Sequence, residues 1–377
     1  MVILNAYLLT LIIIAQQSSD TTGEKEKENL MKKKIVSALL CVAMIATMAT
    51  GCGGSKSSST SGNADSTAKQ FEINAAIAAN PPALDPHTVN ANVTGAIGIH
   101  IYEALFQMDE NYEPQPVLAE SYEMSDDGKE YTIKLRQGVK FHNGDEMKAD
   151  DVVASMNRWM ELSPKAKTLI GGSVFEKVDD YTVKLTVNEP SSDIIMVLAS
   201  PIQFAAIYPK SVVDSASDEG VKEYIGTGPY KVAEWKQDQY VKLEKNEDYQ
   251  PAEGKSSGLA GAKNAQADTI TFNIVTDTAT RIAGVQNGQY DIAEDIPADQ
   301  YKDLAADKNL TMDVRSGGTL NLFLNTTEGV MADEKVRQAA LAALNCDDIL
   351  KASYGDADLY KLNAGWCNPD DTQWGTE

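Results

Sequence analysis

Residues 134–152 read KLRQGVKFHNGDEMKADDV, and this stretch decides the fold class. Its start continues the run 131–135, where apolar and polar residues alternate as in a half-buried β-strand. The pair Asn143-Gly144 predicts a turn, because both residue types tolerate left-handed backbone. The pattern over 149–162 predicts an α-helix with Asp150 as its N-cap. A strand, a turn and a helix in this order indicate a chain of mixed α and β structure.

The same mixture extends outward along the chain. Alternating residues predict strands over 71–77, 181–187 and 269–274, and a helical pattern covers 335–343. The run Asp126-Asp127-Gly128-Lys129 predicts a hairpin turn. These elements predict an α/β or α+β protein.

The composition narrows the function classes. The chain has 377 residues, enough for two or three lobes, and a formal net charge of −22. A strongly acidic surface repels phosphate backbones, so nucleic acid is not expected as a partner. The sequence has three histidines and four cysteines without a CxxC spacing, so we expect no metal site and no cofactor.

The sequence shows no constellation typical of catalysis. Paired acids occur at 126–127, 150–151, 179–180 and 370–371, where predicted turns or helix starts explain them by solvation or capping. We interpret His142, beside Asn143-Gly144, as a turn residue rather than a base. The protein is therefore predicted not to be an enzyme.

The N-terminal region predicts export and a lipid anchor. Residues 31–51 combine a basic start, a short apolar run and small residues, which is typical of a signal peptide. Cys52 follows directly and resembles the acylated cysteine of a lipobox, and the Ser/Gly-rich run 52–68 predicts a flexible tether. We interpret 1–30 as an extension from a start codon assigned too early; the alternative is a membrane-inserted extension. The predicted location is outside the cytoplasm, anchored to the cell membrane by a lipid on Cys52.

Segments spread over about residues 70–350 resemble the family 5 extracellular solute-binding proteins, which serve oligopeptide, dipeptide and nickel ABC importers. The most specific segment is 134–144 with 149–152. The others, in family order, are ALDPH (83–87), IYEALF (101–106), LAESY (118–122), GTGPY (226–230), LEKNEDY (243–249), GQYDI (288–292), and Asn325 with VRQA (336–339). Each segment alone is weakly specific, and the shared order carries the resemblance.

The resemblance implies a two-lobed α/β architecture of the periplasmic-binding-protein type II class, with an extra small inserted domain. Mapped here, lobe I comprises 69–113 and 208–315, lobe II comprises 114–207, and lobe III begins at 316. Residues 316–377 are expected to be only the start of lobe III, so the chain is interpreted as truncated at its C-terminal side. A gene fragment and a real short form are the two alternatives.

The resemblance also implies a function, the capture of a small solute, most simply a peptide, for the permease subunits of an ABC importer. Family members line their cleft with the loop after the Leu-Asp-Pro segment and with the strand that enters lobe III. The corresponding ligand-binding candidates are Val89, Asn90, Ala91, Asn92 and Thr94, then Thr319, Asn321 and Leu322. The alternative for each is a surface loop or a core strand. Since the family's anchors for ligand termini lie mostly in lobe III, binding is expected to be weak or absent.

Two other functions are compatible with the same segments. A receptor for signalling peptides would share them, and an inactive surface lipoprotein fragment would follow from an incomplete third lobe. The ligand itself is open between peptides of different length and a nickel chelate. Cys346 and Cys367 are interpreted either as a disulfide or as idle thiols.

Overall fold

The structure, a computed structural model, describes residues 9–15, 70–217, 219–316 and 322–362. These residues belong to one compact unit. The predicted signal peptide, Cys52, the tether, Thr319, Asn321 and Cys367 lie outside the described residues. The proposed lobe boundaries stay a prediction.

Strands and helices are intermixed along the chain, which confirms the predicted α/β class. In chain order the elements are β1 (Leu9–Ala15), β2 (Glu72–Ile77), α1 (Asn92–Ile101), β3 (Phe106–Met108), β4 (Pro114–Pro116), β5 (Ala119–Met124), β6 (Glu130–Leu135), α2 (Ala149–Leu162), α3 (Pro164–Ile170), β7 (Val174–Asp179), β8 (Thr182–Thr186), α4 (Ile194–Leu198), α5 (Lys210–Asp214), β9 (Tyr230–Lys236), β10 (Tyr240–Lys245), β11 (Thr269–Ile274), α6 (Thr278–Gln286), β12 (Ile292–Ala293), α7 (Tyr301–Ala305), β13 (Leu310–Ser316), α8 (Glu334–Ala342) and α9 (Cys346–Tyr354). Short 3-10 turns occur at Ala298–Gln300, Val330–Ala332 and Ala357–Leu359.

A seven-stranded sheet has the order β13-β1-β12-β2-β11-β10-β9. Its central strand β2 pairs in parallel with β11 and β12, and β1 pairs antiparallel with β12 and β13. Ala75, Ala76 and Ile77 in β2 are buried, as expected of a strand in the middle of a sheet. The predicted strands 71–77 and 269–274 are confirmed as β2 and β11.

A separate four-stranded antiparallel sheet has the order β5-β6-β8-β7. Helix α2 packs against β7 and β8 and buries Val152, Met156 and Trp159, which recur at the three- and four-residue spacing of one helix face. Gly128, in the predicted hairpin turn between β5 and β6, has a φ of 68°. The predicted strands 131–135 and 181–187 and the helix 149–162 are thus confirmed.

The predicted cap of α2 is wrong by two residues. The helix begins at Ala149, so its N-cap is Lys148, and Asp150 lies within the first turn. The Asp151 carboxylate accepts a hydrogen bond from the Lys148 backbone N–H at 2.9 Å, which stabilises the helix start from inside. Asp150 instead pairs with Lys177 on β7.

The predicted turn at Asn143-Gly144 begins next to His142, which connects it to the 226–230 turn by hydrogen bonds. His142 Nδ1 accepts from the Gly226 N–H at 3.2 Å, so its Nε2–H donates to the Gly228 carbonyl at 3.0 Å. The 226–230 turn lies so close to the end of α1 that a Cβ on Gly226 would come within 2.1 Å of the Ile101 carbonyl oxygen. This close approach requires glycine, and the two His142 hydrogen bonds hold the same turn from the other segment.

Candidate functional site

A cavity of about 260 Å³ lies between the start of α1 and a turn that follows α4. One wall is the loop from Pro86 to Asn92, which leads into α1 and continues with Gly95, Ala96 and Ile99. The opposite wall is the turn 201–203, and Leu259 borders the cavity from a third segment. We call these the loop wall and the turn wall.

The structure brings four of the predicted ligand-binding residues to this cavity. Val89, Asn90, Ala91 and Asn92 all belong to the loop wall. Thr94 does not line it: the side chain is fully buried, and its hydroxyl donates to the Ala83 carbonyl at 2.6 Å. Thr94 therefore fastens the loop from behind.

The second predicted group is not assembled with the first. Leu322 is partly exposed and does not line the cavity. Thr319 and Asn321 lie outside the described residues. Ligand contact by any of the eight candidates stays a prediction.

A buried carboxylate holds the base of the loop wall. Asp85 accepts hydrogen bonds from Arg158 Nη2 at 2.7 Å, the Tyr208 hydroxyl at 2.8 Å and the Val221 N–H at 3.1 Å. Burial raises the pKa of Asp85, but the hydrogen bond and charge of Arg158, together with His87 and the Tyr208 hydroxyl, outweigh it and leave the pKa below its usual value. The carboxylate is therefore ionised and fully partnered at neutral pH.

His87 continues this network into the loop wall. Arginine can only donate, so the contact of 3.0 Å between Arg158 Nη1 and His87 Nδ1 makes Nδ1 the acceptor. The proton then resides on Nε2, which donates to the Ala206 carbonyl at 2.9 Å. Burial and the nearby Arg158 charge lower the pKa of His87 to about 4, against the opposing influence of Asp85, so the ring is neutral.

The turn wall is held by helix α2. Gln203 has a φ of 48°, a left-handed conformation that is uncommon outside glycine. Its carbonyl accepts from Trp159 Nε1 at 2.7 Å, and its side-chain oxygen accepts from the Ser163 hydroxyl at 3.2 Å. These two bonds compensate the unfavourable backbone of the turn wall.

Two other cavities are described. A larger one of about 870 Å³ lies between β5, β6 and the segment 250–261, and its lining includes Glu120, Arg136 and Lys255. A third of about 320 Å³ includes His100 and Lys263. Lys263 lies 3.6 Å from the buried Glu103 carboxylate, which also accepts from Tyr249 and Thr227. The Glu103 cluster is fully partnered and has the character of a structural network.

The described residues offer little for catalysis or metal binding. The three pairs at 126–127, 150–151 and 179–180 serve turns and the start of α2: Asp127 accepts from the Lys129 N–H and Asp179 from the Tyr181 N–H, while 370–371 lie outside the described residues. Across 9–15, 70–217, 219–316 and 322–362, no cluster of three or more His, Cys, Asp or Glu side chains could hold a metal ion. In the same part of the chain, no helix has the length and apolar character that a membrane span needs. Cys346, at the start of α9, is half-buried, and the choice between a disulfide with Cys367 and idle thiols stays open, because Cys367 lies outside the described residues.

Sequence reasoning missed the turn wall and Leu259. Pro201 and Ile202 follow α4 far along the chain from the loop wall, and a pattern search has no means to bring the two together. One usable signal is present, because an apolar isoleucine next to a proline is unusual for a plain solvent-exposed turn.

Comparison with known protein families identifies relatives of this chain. The profile of the bacterial extracellular solute-binding proteins, family 5 Middle, matches residues 113–364. Among curated proteins, the glutathione-binding protein GsiB of Salmonella paratyphi A is 34% identical over 288 residues, which is 75% of this chain and 54% of that protein. The chain thus spans about half the length of the curated relatives it matches.

Solved structures share the fold. The periplasmic binding protein DppA of Helicobacter pylori, in complex with the peptide STSA, has a TM-score of 0.62 at 26% identity, over 76% of this chain and 59% of that one. The oligopeptide-binding protein AppA of Bacillus subtilis, in complex with a nonapeptide, has a TM-score of 0.60 at 27% identity, over 76% and 57%. The two-lobed type II architecture is the fold that these proteins have in common with the chain.

Proposed function

Because the chain belongs to the bacterial extracellular solute-binding proteins of family 5, we propose that it binds a peptide or peptide-like solute and delivers it to the permease subunits of an ABC importer. Its relatives indicate the chemical class: GsiB is a glutathione-binding protein and glutathione is a tripeptide, while DppA and AppA are found in complex with the peptide STSA and with a nonapeptide. In this proposal the protein binds and delivers the solute without changing it chemically.

The observation that carries this proposal is the cavity between the loop wall and the turn wall. Its loop wall contains four residues that the family resemblance implies as ligand contacts, and the wall is anchored by the buried Asp85. Side-chain amides of Asn90, Asn92 and Gln203 border an otherwise apolar surface. Amides that donate and accept suit the main chain of a peptide, while the apolar surface suits an uncharged side chain.

Saturation-transfer NMR tests the proposal, because it detects the weak binding expected of a shallow site. The probes are reduced glutathione and the tetrapeptide Ser-Thr-Ser-Ala, added to the 377-residue chain. We expect saturable transfer to at least one of them and a loss of about tenfold in affinity for Ile202→Asp, since a carboxylate on the turn wall must be desolvated by the ligand. Transfer to neither probe would overturn the proposal.

The chain offers a matched control for this variant. Ile202 is 57% exposed in the turn wall, and Val178 is 59% exposed in β7, away from the cavity. The variant Val178→Asp adds the same charge at the same exposure and should leave binding unchanged. Equal losses in both variants would assign the effect to net charge rather than to the cavity.

We also propose that a lipid on Cys52 holds the protein at the outer face of the cell membrane. The support is the small-residue run that precedes Cys52 and the Ser/Gly-rich run that follows it. In cells, Cys52→Ala should move the protein from the membrane fraction to the medium or the periplasm, whereas Cys41→Ala should not. Retention of the Cys52→Ala variant at the membrane would contradict the lipid anchor.

A further inference from the structure

Two consecutive residues of α2 hold opposite walls of the same cavity. Arg158 binds Asp85 and His87, directly before and within the loop wall, and Trp159 binds the Gln203 carbonyl in the turn wall. Neighbouring residues on a helix point about 100° apart, so one helix can reach both walls at once. The distance between the two walls is thus set by two consecutive residues of α2.

This connection is rigid on both sides. Trp159 is fully buried in the hydrophobic cluster that α2 shares with the four-stranded sheet, and Arg158 is nearly fully buried against Asp85 and the Tyr208 ring. Close packing gives buried helix side chains little freedom to shift. The Ser163 N–H, directly after α2, donates to the Trp159 carbonyl at 2.9 Å, and the Ser163 hydroxyl adds a second bond to Gln203. Gln203 keeps its left-handed backbone because these bonds determine it.

The lining of the cavity adds a chemical restriction. None of its lining residues has an ionisable side chain, although the chain as a whole is strongly acidic. A charged group entering this space would lose hydration without gaining a partner of opposite charge. A fixed width and an uncharged lining together favour one kind of ligand group.

We propose that Arg158 and Trp159 are positioning residues that fix the spacing between the loop wall and the turn wall, and thereby restrict the cavity to a compact, uncharged group of the ligand. The restriction on the ligand rests on the proposed function, whereas the spacing is a property of the protein alone. The two parts are therefore testable apart from each other.

The spacing is measured first, without any ligand. In the full chain with its four cysteines replaced by serine, nitroxide labels are placed on Asn90→Cys and Ile202→Cys, both exposed at the rim of the cavity. Dipolar broadening between the labels reports the wall-to-wall distance. Trp159→Phe keeps a buried aromatic ring but removes the donor to Gln203, so the distance distribution should shift or widen.

A matched control separates positioning from general loosening. Tyr131 belongs to the same hydrophobic cluster as Trp159, and its hydroxyl donates to the Ser191 carbonyl at 3.3 Å. Tyr131→Phe should leave the label distance unchanged. If Trp159→Phe does not fold, Asp85→Asn makes the same test from the loop wall, because it removes the charge that Arg158 holds. An unchanged label distance in a folded Trp159→Phe or Asp85→Asn variant would overturn the proposal that Arg158 and Trp159 fix the spacing of the walls.

Selectivity is measured second, with tetrapeptides in which the last residue of Ser-Thr-Ser-Ala is replaced by Val, Phe or Asp. The parent chain should prefer the small uncharged residues, and Trp159→Phe should reduce the preference for Ala over Phe by about fivefold, the size of one lost hydrogen bond. Equal weakening of all four peptides would show a merely structural role and would overturn the restriction. If no peptide binds the parent chain, the proposed function fails. The label distance alone then tests whether Arg158 and Trp159 fix the spacing of the walls.

Discussion

Two ion-pair clusters that involve α2 have similar distances and very different surroundings. Arg158 lies 2.7 Å from Asp85, and Lys177 lies 2.8 Å from Asp150 and 2.9 Å from Asp180. The first pair has side chains 8% and 2% exposed, whereas Lys177 and Asp150 are 34% and 58% exposed. The ion-pair distance therefore does not distinguish a structurally important buried pair from an ordinary surface pair. The two differ in the burial of their side chains and in how many hydrogen bonds the charged groups make.

The difference follows from solvent. Water and salt screen the Lys177 pairs, and holding long exposed side chains in place costs entropy. The Asp85 carboxylate is out of water, so each of its partners replaces a lost water hydrogen bond and cannot be removed without leaving a bare charge. The buried cluster also contacts the loop wall through His87, whereas the exposed cluster does not line the cavity.

Removal of Arg158 should have the largest effect. Arg158→Ala leaves the Asp85 charge buried without its cation, and we expect the free energy of unfolding to fall by about 3–5 kcal/mol. Urea unfolding at neutral pH measures this. A loss below about 1 kcal/mol would show that water reaches Asp85 and that the buried and exposed clusters do not differ in their contribution to stability.

Acid should weaken the protein in a defined window. Burial is the main cause that lowers the pKa values of His87 and His142 to about 4, against 6.5 in the unfolded chain. Between these values the unfolded state binds more protons, so stability falls as the pH drops from 6.5 towards 4, by about 1.4 kcal/mol per pH unit for each histidine. The lowered pKa of Asp85 affects stability only at more acidic pH. The stability that the ionised Asp85 contributes to the folded state is lost as the pH falls below 3.8, the pKa of an ordinary aspartate.

The pH dependence has an internal control. His142→Gln should remove about half of the slope that the two histidines produce, while the slope from His87 persists. Urea midpoints at several pH values between 4 and 6.5 give both slopes. A wild-type stability that is flat over this range would contradict the buried, neutral state of both rings.

Two tyrosines give the most closely matched comparison. The Tyr208 hydroxyl donates to the buried Asp85 and the Tyr181 hydroxyl to the exposed Glu146, both at 2.8 Å. Tyr208→Phe should destabilise the fold by about 2 kcal/mol, as expected for a buried hydrogen bond to a charge. Tyr181→Phe should have no measurable effect in the same unfolding experiment, and equal losses would remove burial as the deciding factor.

The smallest effect is expected for Lys177→Ala. Lys177 is exposed, and although hydrogen bonds to Asp150 and Asp180 raise its pKa, water takes over these contacts when the side chain is removed. The unfolding midpoint should stay the same within error, and added salt should leave the difference from wild type unchanged. A clear loss of stability at low salt would show that surface pairs here act as a network.

Much of the fold could be predicted because its signals are local. The strand β6, the Asn143-Gly144 turn and the helix α2 follow from patterns within one short stretch, and the structure has each of them. The loop wall was expected only through the family resemblance of the Leu-Asp-Pro segment that precedes it. The cap of α2 was misplaced by two residues, because a sequence pattern fixes helix ends only to within one or two positions and the actual N-cap, Lys148, is not a preferred capping residue type.

The rest of the site depends on contacts that no local pattern contains. Asp85 and Arg158 are separated by 73 positions in the chain, and nothing in either segment shows that they meet. The left-handed backbone of Gln203 has no local signal either, because glutamine is not a residue type that favours a positive φ. Its conformation is imposed by Trp159 through tertiary packing, which is the kind of constraint that sequence patterns leave out.

Photo-crosslinking tests the central claim most directly, because it asks where a peptide binds. A tetrapeptide in which the last residue of Ser-Thr-Ser-Ala carries a small alkyl diazirine is irradiated with the full chain, and the attachment sites are mapped by mass spectrometry. The account predicts crosslinks to 89–92 and 201–203, competed by unlabelled peptide and lost in Ile202→Asp. Crosslinks concentrated on the 250–261 side of the larger cavity would contradict it and would move the site to that part of the molecule.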